Sequence, residues 1–79
     1  MPHYYFDTKD PDFSVVDEEG MDLPNDRAAA AEAKRGLGDI VRDMSYSGRV
    51  GKVTVSVRNE LGSIVFSAAC TMVALQEAG

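Results

Sequence analysis

The 79-residue chain has no tryptophan, a single cysteine, a single histidine and three prolines, and each scarcity closes off a class of protein. Cys70 has no second thiol to pair with inside the chain, and Cys70 with His3 falls short of the four ligands a structural zinc needs. Stability must therefore come from packing, in a chain short enough that its core is thin. The longest apolar stretch, Ile64 to Leu75, is interrupted by Ser67 and Thr71 and is too short to span a bilayer. No basic patch followed by an apolar run marks a secretory signal. The expected setting is the cytoplasm, without a membrane partner, and Cys70 reads there as a small core residue rather than a nucleophile.

Charge is present but uneven. The formal net charge is −5. From Met1 to Asp26 the acids Asp7, Asp10, Asp12, Asp17, Glu18, Glu19, Asp22 and Asp26 face only Lys9, so this third carries −7, while the remainder carries +2. A general nucleic-acid binder needs a basic surface, and that class is disfavoured.

The clearest pattern lies between Pro24 and Met44. Ala30, Ala33, Leu37, Ile40, Val41 and Met44 share one stripe of a helix, with Glu32, Arg35, Asp39, Arg42 and Asp43 turned away from it. Pro24 stops any helix from upstream, Asn25 is placed to accept a bond from a first-turn amide, and Gly48 can take the positive φ of a C-terminal cap. Gly36 and Gly38 oppose the helix by about 1 kcal/mol each relative to alanine, which suggests close packing or a soft middle.

Strands flank this helix on both sides. His3 to Asp7 alternates, with Tyr4 and Phe6 on one face and His3, Tyr5 and Asp7 on the other, and turn chemistry at Thr8 to Asp12 sends the chain back through Phe13 to Val16. A second turn, Asp17 to Gly20, precedes Met21-Asp22-Leu23. After the helix, Val53, Val55 and Val57 alternate strictly with Lys52, Thr54, Ser56 and Arg58. Asn59-Glu60-Leu61-Gly62 makes a hairpin turn into a strand from Ser63 to about Ala69, with Ile64, Phe66 and Ala68 on one side. Cys70 to Ala78 fits either a longer strand or a last helical turn. The chain therefore reads as one α+β domain over residues 1–79, ββαββ, with a single amphipathic helix packed on one face of a small, mainly antiparallel sheet.

Reactive groupings are sparse. Asp7, Asp10, Asp12, Asp17, Glu18 and Glu19 invite a hard cation, but the spacing lacks the central glycine and terminal glutamate of a calcium loop, so they read as turn carboxylates. His3 and Asp7 lie on one strand face without a nucleophile between them. The chain is read as a non-enzyme with no catalytic, metal or cofactor-binding residue and no cofactor.

The opening Met1-Pro2-His3-Tyr4-Tyr5-Phe6, the Asp17-Glu18-Glu19-Gly20 turn followed by Leu23-Pro24, the alanine-rich helix containing Ala33, and the hairpin from Val53-Thr54-Val55 to Gly62 resemble a family of small proteobacterial domains known only as a domain of unknown function. The resemblance covers nearly the whole chain and implies a small bacterial protein with no assigned activity. Asp7 stands where that family's pattern has a histidine, so a role resting on that histidine does not carry over.

The preferred functional expectation is a protein-interaction or oligomerisation module, most simply a homodimer, because the core is thin and the apolar segment after the last turn outruns a typical strand. Its interaction surface is placed at Ile64, Phe66, Met72 and Leu75. If the partner is another protein, the acidic N-terminal hairpin suggests a basic one. The alternative is a regulatory domain that binds single-stranded nucleic acid weakly through Lys52, Arg58, Arg49 and Tyr5 on the outer sheet face.

Overall fold

The computed structural model describes residues 1–77. Five strands and one helix follow in the order β1 (His3–Lys9), β2 (Ser14–Val15), β3 (Met21–Asp22), α1 (Asp26–Ser47), β4 (Gly51–Arg58) and β5 (Ile64–Met72). All strand pairs are antiparallel, and the main path across the sheet is β2-β1-β4-β5, with β3 also pairing to β1. The α+β architecture expected from the sequence, ββαββ with one helix on an antiparallel sheet, is the one observed, with the short β3 added ahead of the helix.

Helix α1 begins and ends where its caps dictate. The Asn25 side chain accepts from the Ala28 amide at 2.9 Å, and Gly48, at φ 73°, turns its own N–H back to the Met44 carbonyl. One side of the helix then presents Ala29, Ala33, Leu37 and Met44 to the core. Ala29, rather than Ala30, is the alanine fully buried. The helix lies over β4 and β5, where it meets Val53, Val55 and Val57, all buried. Small helix residues let the two backbones approach, and each buried valine contributes about 1.5–3 kcal/mol relative to exposure.

Tyr4 closes the other end of this core. It is 2% exposed, and its hydroxyl donates to Asp26 at 2.6 Å in the helix's first turn, so the ring is buried without stranding its polar tip. The same bond, with burial second, pushes the Tyr4 phenol up to about 12.

The helix glycines serve no internal contact. A Cβ added at Gly36 or Gly38 would meet nothing within 4 Å, so close packing inside the chain does not account for them. Gly20 differs: at φ 71°, an added Cβ would lie 2.6 Å from the Tyr4 carbonyl oxygen, which makes glycine obligatory at the end of the Asp-Glu-Glu-Gly turn.

Two element boundaries differ from the sequence expectation. The returning strand expected over Phe13 to Val16 shrinks to Ser14–Val15, because Asp10 caps the turn before it through the Asp12 and Phe13 amides. The last strand runs on to Met72, because Gly51, Lys52 and Val53 of β4 pair with Met72, Thr71 and Cys70. Beyond it residues 73–77 belong to no strand or helix and are exposed, and the expectation for Ala78 falls outside the described residues. Among the described residues no helix is long and apolar enough to cross a membrane.

Substituting Gly38 with alanine is expected to stabilise the fold by about 1 kcal/mol, and Gly36→Ala by a similar amount. Denaturant melts followed by far-ultraviolet circular dichroism check this, and a loss of stability would mean that the helix middle is distorted rather than merely flexible.

Candidate functional site

The two edges of the sheet are built differently. At the N-terminal edge, β1 pairs with β2 only at Thr8 and Lys9 and with β3 only at His3 and Tyr4. The gap between them is closed by a side chain. Asp17 Oδ2 accepts from the Phe6 amide at 3.1 Å, and its Oδ1 accepts from the Glu19 and Gly20 amides, each at 3.1 Å. Burial pushes this carboxyl up, but the amides of Gly20, Phe6 and Glu19 outweigh it and leave it below the ordinary value.

Arg58 locks this region from the far side of the chain. Its Nε donates to Asp7 Oδ2 at 2.6 Å, and its Nη2 donates to Asp7 Oδ1 at 3.1 Å and to the Asp17 carbonyl at 3.0 Å. Asp7 Oδ1 also accepts from the Asp17 amide, and the guanidinium lies 4.9 Å from the Tyr5 ring centre. Arg58 is the main cause that holds the Asp7 carboxyl below its usual range. Asp7 therefore serves Arg58, and His3 finds a different carboxylate.

The His3 ring sits between two acceptors, Asp22 Oδ1 at 2.5 Å from Nδ1 and the Glu19 carbonyl at 2.7 Å from Nε2, and packs edge-on against Tyr5. Two acceptors demand two ring protons. The Asp22 bond first, and the Glu19 bond next, raise the His3 pKa above 6.5. At the other end of the edge, Arg49 binds Asp10 at 3.0 Å and Asp12 at 3.1 Å. The aspartates that suggested a cation site are thus held by turn amides and two arginines. The two arginines proposed for a nucleic-acid face are occupied by the same aspartates, while Lys9 and Lys52 remain exposed.

The opposite edge has none of these devices. Among the described residues strand β5 pairs only with β4 and leaves one flank open, and it carries no charged residue and no proline over nine residues. Its open groups follow from the ladder. Phe6 turns its amide toward the β2/β3 side, so the odd residues of β1 face β4, the even residues of β4 face β1, and Val53, Val55 and Val57 face β5. Their partners Cys70, Ala68 and Phe66 bond inward, which leaves the amides and carbonyls of Ser67, Ala69 and Thr71 directed outward.

The four residues expected to form an interaction surface separate here. Phe66 and Met72 turn toward the helix and pack against the core, with Lys34 Nζ 5.9 Å from the Phe66 ring centre. A bulge between Val57 and Arg58 sets Ile64 opposite Arg58, so Ile64 joins the outer face instead of the Phe66 side. It is 65% exposed, and Leu75, beyond the strand, is 85% exposed. Sequence reasoning missed Ser67, Ala69 and Thr71, although the absence of charge from Ile64 to Gln76 was a usable signal.

The most apolar concavity is a cleft of about 200 Å³ between α1 and the sheet that Phe6, Met21, Ala33, Gly36, Ile40 and Val55 line. Its one charged neighbour, Glu32, is held by Arg35. Among the described residues no group of three or more His, Cys, Asp and Glu side chains is placed to hold a metal ion.

A two-layer α+β domain with one guarded and one open sheet edge is the class these features define. The chain belongs to the family described as Domain of unknown function (DUF6894), whose model matches residues 3–71. Searches of curated proteins and of solved structures found no match.

Two outcomes are expected at the guarded edge. Asp17→Ala should cost about 2 kcal/mol and speed amide exchange at Phe6 and Gly20, while Glu18→Ala stays within about 0.5 kcal/mol. For His3, the raised folded pKa means that its stabilisation is complete below 6.5 and is lost as pH rises through the folded value. Ring-proton titration by NMR should give a pKa above 6.5 in the native protein and a lower one in Asp22→Asn; equal values would remove the Asp22 contact as the cause.

Proposed function

We propose that this chain is a non-catalytic protein-interaction and oligomerisation module that works by strand addition along β5, with a second copy or a strand of another protein as occupant. The observation that carries the reading is the contrast between edges. Exposed strand edges are normally blunted by charge, proline, bulges or brevity, and the N-terminal edge has short pieces, aspartates and Pro11, whereas β5, whose bulge is confined to its start at Val65, offers an outward ladder at Ser67, Ala69 and Thr71 without charge or proline.

A cytoplasmic setting agrees with the unpaired thiol of Cys70, and a bacterial source agrees with the family resemblance. Binding of single-stranded nucleic acid ranks second. Arg49 and Arg58 would have to leave their aspartates to contact phosphate.

Proline at position 69 provides the test, because the Ala69 amide points away from β4 and its loss leaves the internal ladder whole. An uncharged peptide of alternating threonine and valine, added to dilute labelled protein, should shift and protect the amides of Ser67, Ala69 and Thr71, and Ala69→Pro should abolish the effect while keeping the native spectrum elsewhere. No shift at millimolar peptide would refute strand addition.

A further inference from the structure

We infer that the strand completing this edge is the β5 of a second copy, paired antiparallel about a two-fold axis beside Cys70. This rests on the strand-addition reading and names its partner. The first argument is electrical. A two-fold pairing sets identical segments against each other, so any charge in the strand repels itself, and β5 with the tail through Gln76 carries none. An uncharged strand gives no electrostatic preference for a charged partner and no penalty against its own copy.

The second argument is geometric. Residues directly opposite in an antiparallel pair share a face, so a self-paired strand must be centred on a residue and not between two. The free segment runs from Ile64 through the unpaired, exposed residues 73–77, and β4 ends its pairing at Met72. Centring the pair on Cys70 uses this whole length. Ala69 then bonds Thr71 of the second copy, Ser67 bonds Val73, and Leu75 comes beside Val65 and Ile64.

The third argument is burial. Ile64, Val73 and Leu75 are 65%, 65% and 85% exposed in the single chain, and this register brings all three against the other copy. The tail thus gains the ladder that β4 is too short to supply. The two sheets join edge to edge, with both helices on the same side of the continuous sheet.

Cys70 reports the register directly. Its own amide faces β4, so across the axis the two Cys70 residues form a non-hydrogen-bonded pair with Cα atoms about 4.5 Å apart, within reach of a disulfide. Sedimentation of the full chain under reducing conditions, from micromolar to submillimolar, should show a concentration-dependent species of twice the chain mass. Diamide should then trap it through Cys70, and Cys70→Ser should remain a reversible dimer without the cross-link. Both Ala69→Pro and Thr71→Lys should weaken association at least tenfold while remaining folded.

A monomer at every concentration would overturn the inference. In that case protection of Ser67, Ala69 and Thr71 by the threonine–valine peptide would leave strand addition standing, and absence of that protection would remove both. A dimer that Ala69→Pro leaves intact, or that diamide fails to trap at Cys70, would overturn the assigned pairing.

Discussion

The contact between one helix stripe and one strand, Ala29, Ala33, Leu37 and Met44 against Val53, Val55 and Val57, is the constraint from which the rest of this molecule follows. A single helix cannot roof five strands. It lies over β4 and β5, and the remaining strands have to be held by other means. Tyr4 reaches under the helix start and ties itself to Asp26, and β1 carries β2 and β3 on its far flank with little apolar cover of their own. Phe13, Val15 and Val16 are all largely exposed there, which is why that flank depends on polar ties.

Those ties draw on part of the charge asymmetry. The acid-rich first third and the base-rich remainder meet within the chain: Asp7 with Arg58, and Asp10 and Asp12 with Arg49. Reading the N-terminal acidity as an attraction for an external basic surface therefore overstates it. Such ion pairs at partly exposed sites add little individually, but Asp7, Asp17 and Arg58 form a shared network that also satisfies backbone amides in the interrupted ladder, and that second duty gives them their structural weight.

What the sequence disclosed was whatever is encoded locally. The Asn25 and Gly48 caps, the alternation of Val53, Val55 and Val57, and the turn at Asn59 to Gly62 each depend on a few neighbouring residues, and each appears as expected. What stayed hidden depends on distant partners. The length of β5 is fixed by the first residues of β4, the side on which Ile64 falls is fixed by a bulge in the hairpin, and the partner of Asp7 lies 51 residues away. His3 and Asp7 share a strand face, yet the return of β3 supplies Asp22 to the His3 ring instead. No spacing rule on one strand could have revealed the outward ladder of Ser67, Ala69 and Thr71, since it follows from the pairing order of three strands.

The central position of β1 in the sheet also orders the birth of the molecule. This strand is synthesised ahead of the helix, yet one flank is matched to Thr54 through Arg58 of β4, which are made only after the whole helix. Until then the aromatic opening segment has no ladder to join on that side, while the later hairpin of β4 and β5 forms from adjacent residues and can fold against the helix without delay. Translation therefore produces the anchor of the sheet before its mooring, and Tyr4 and Phe6 wait without that flank until β4 has been made.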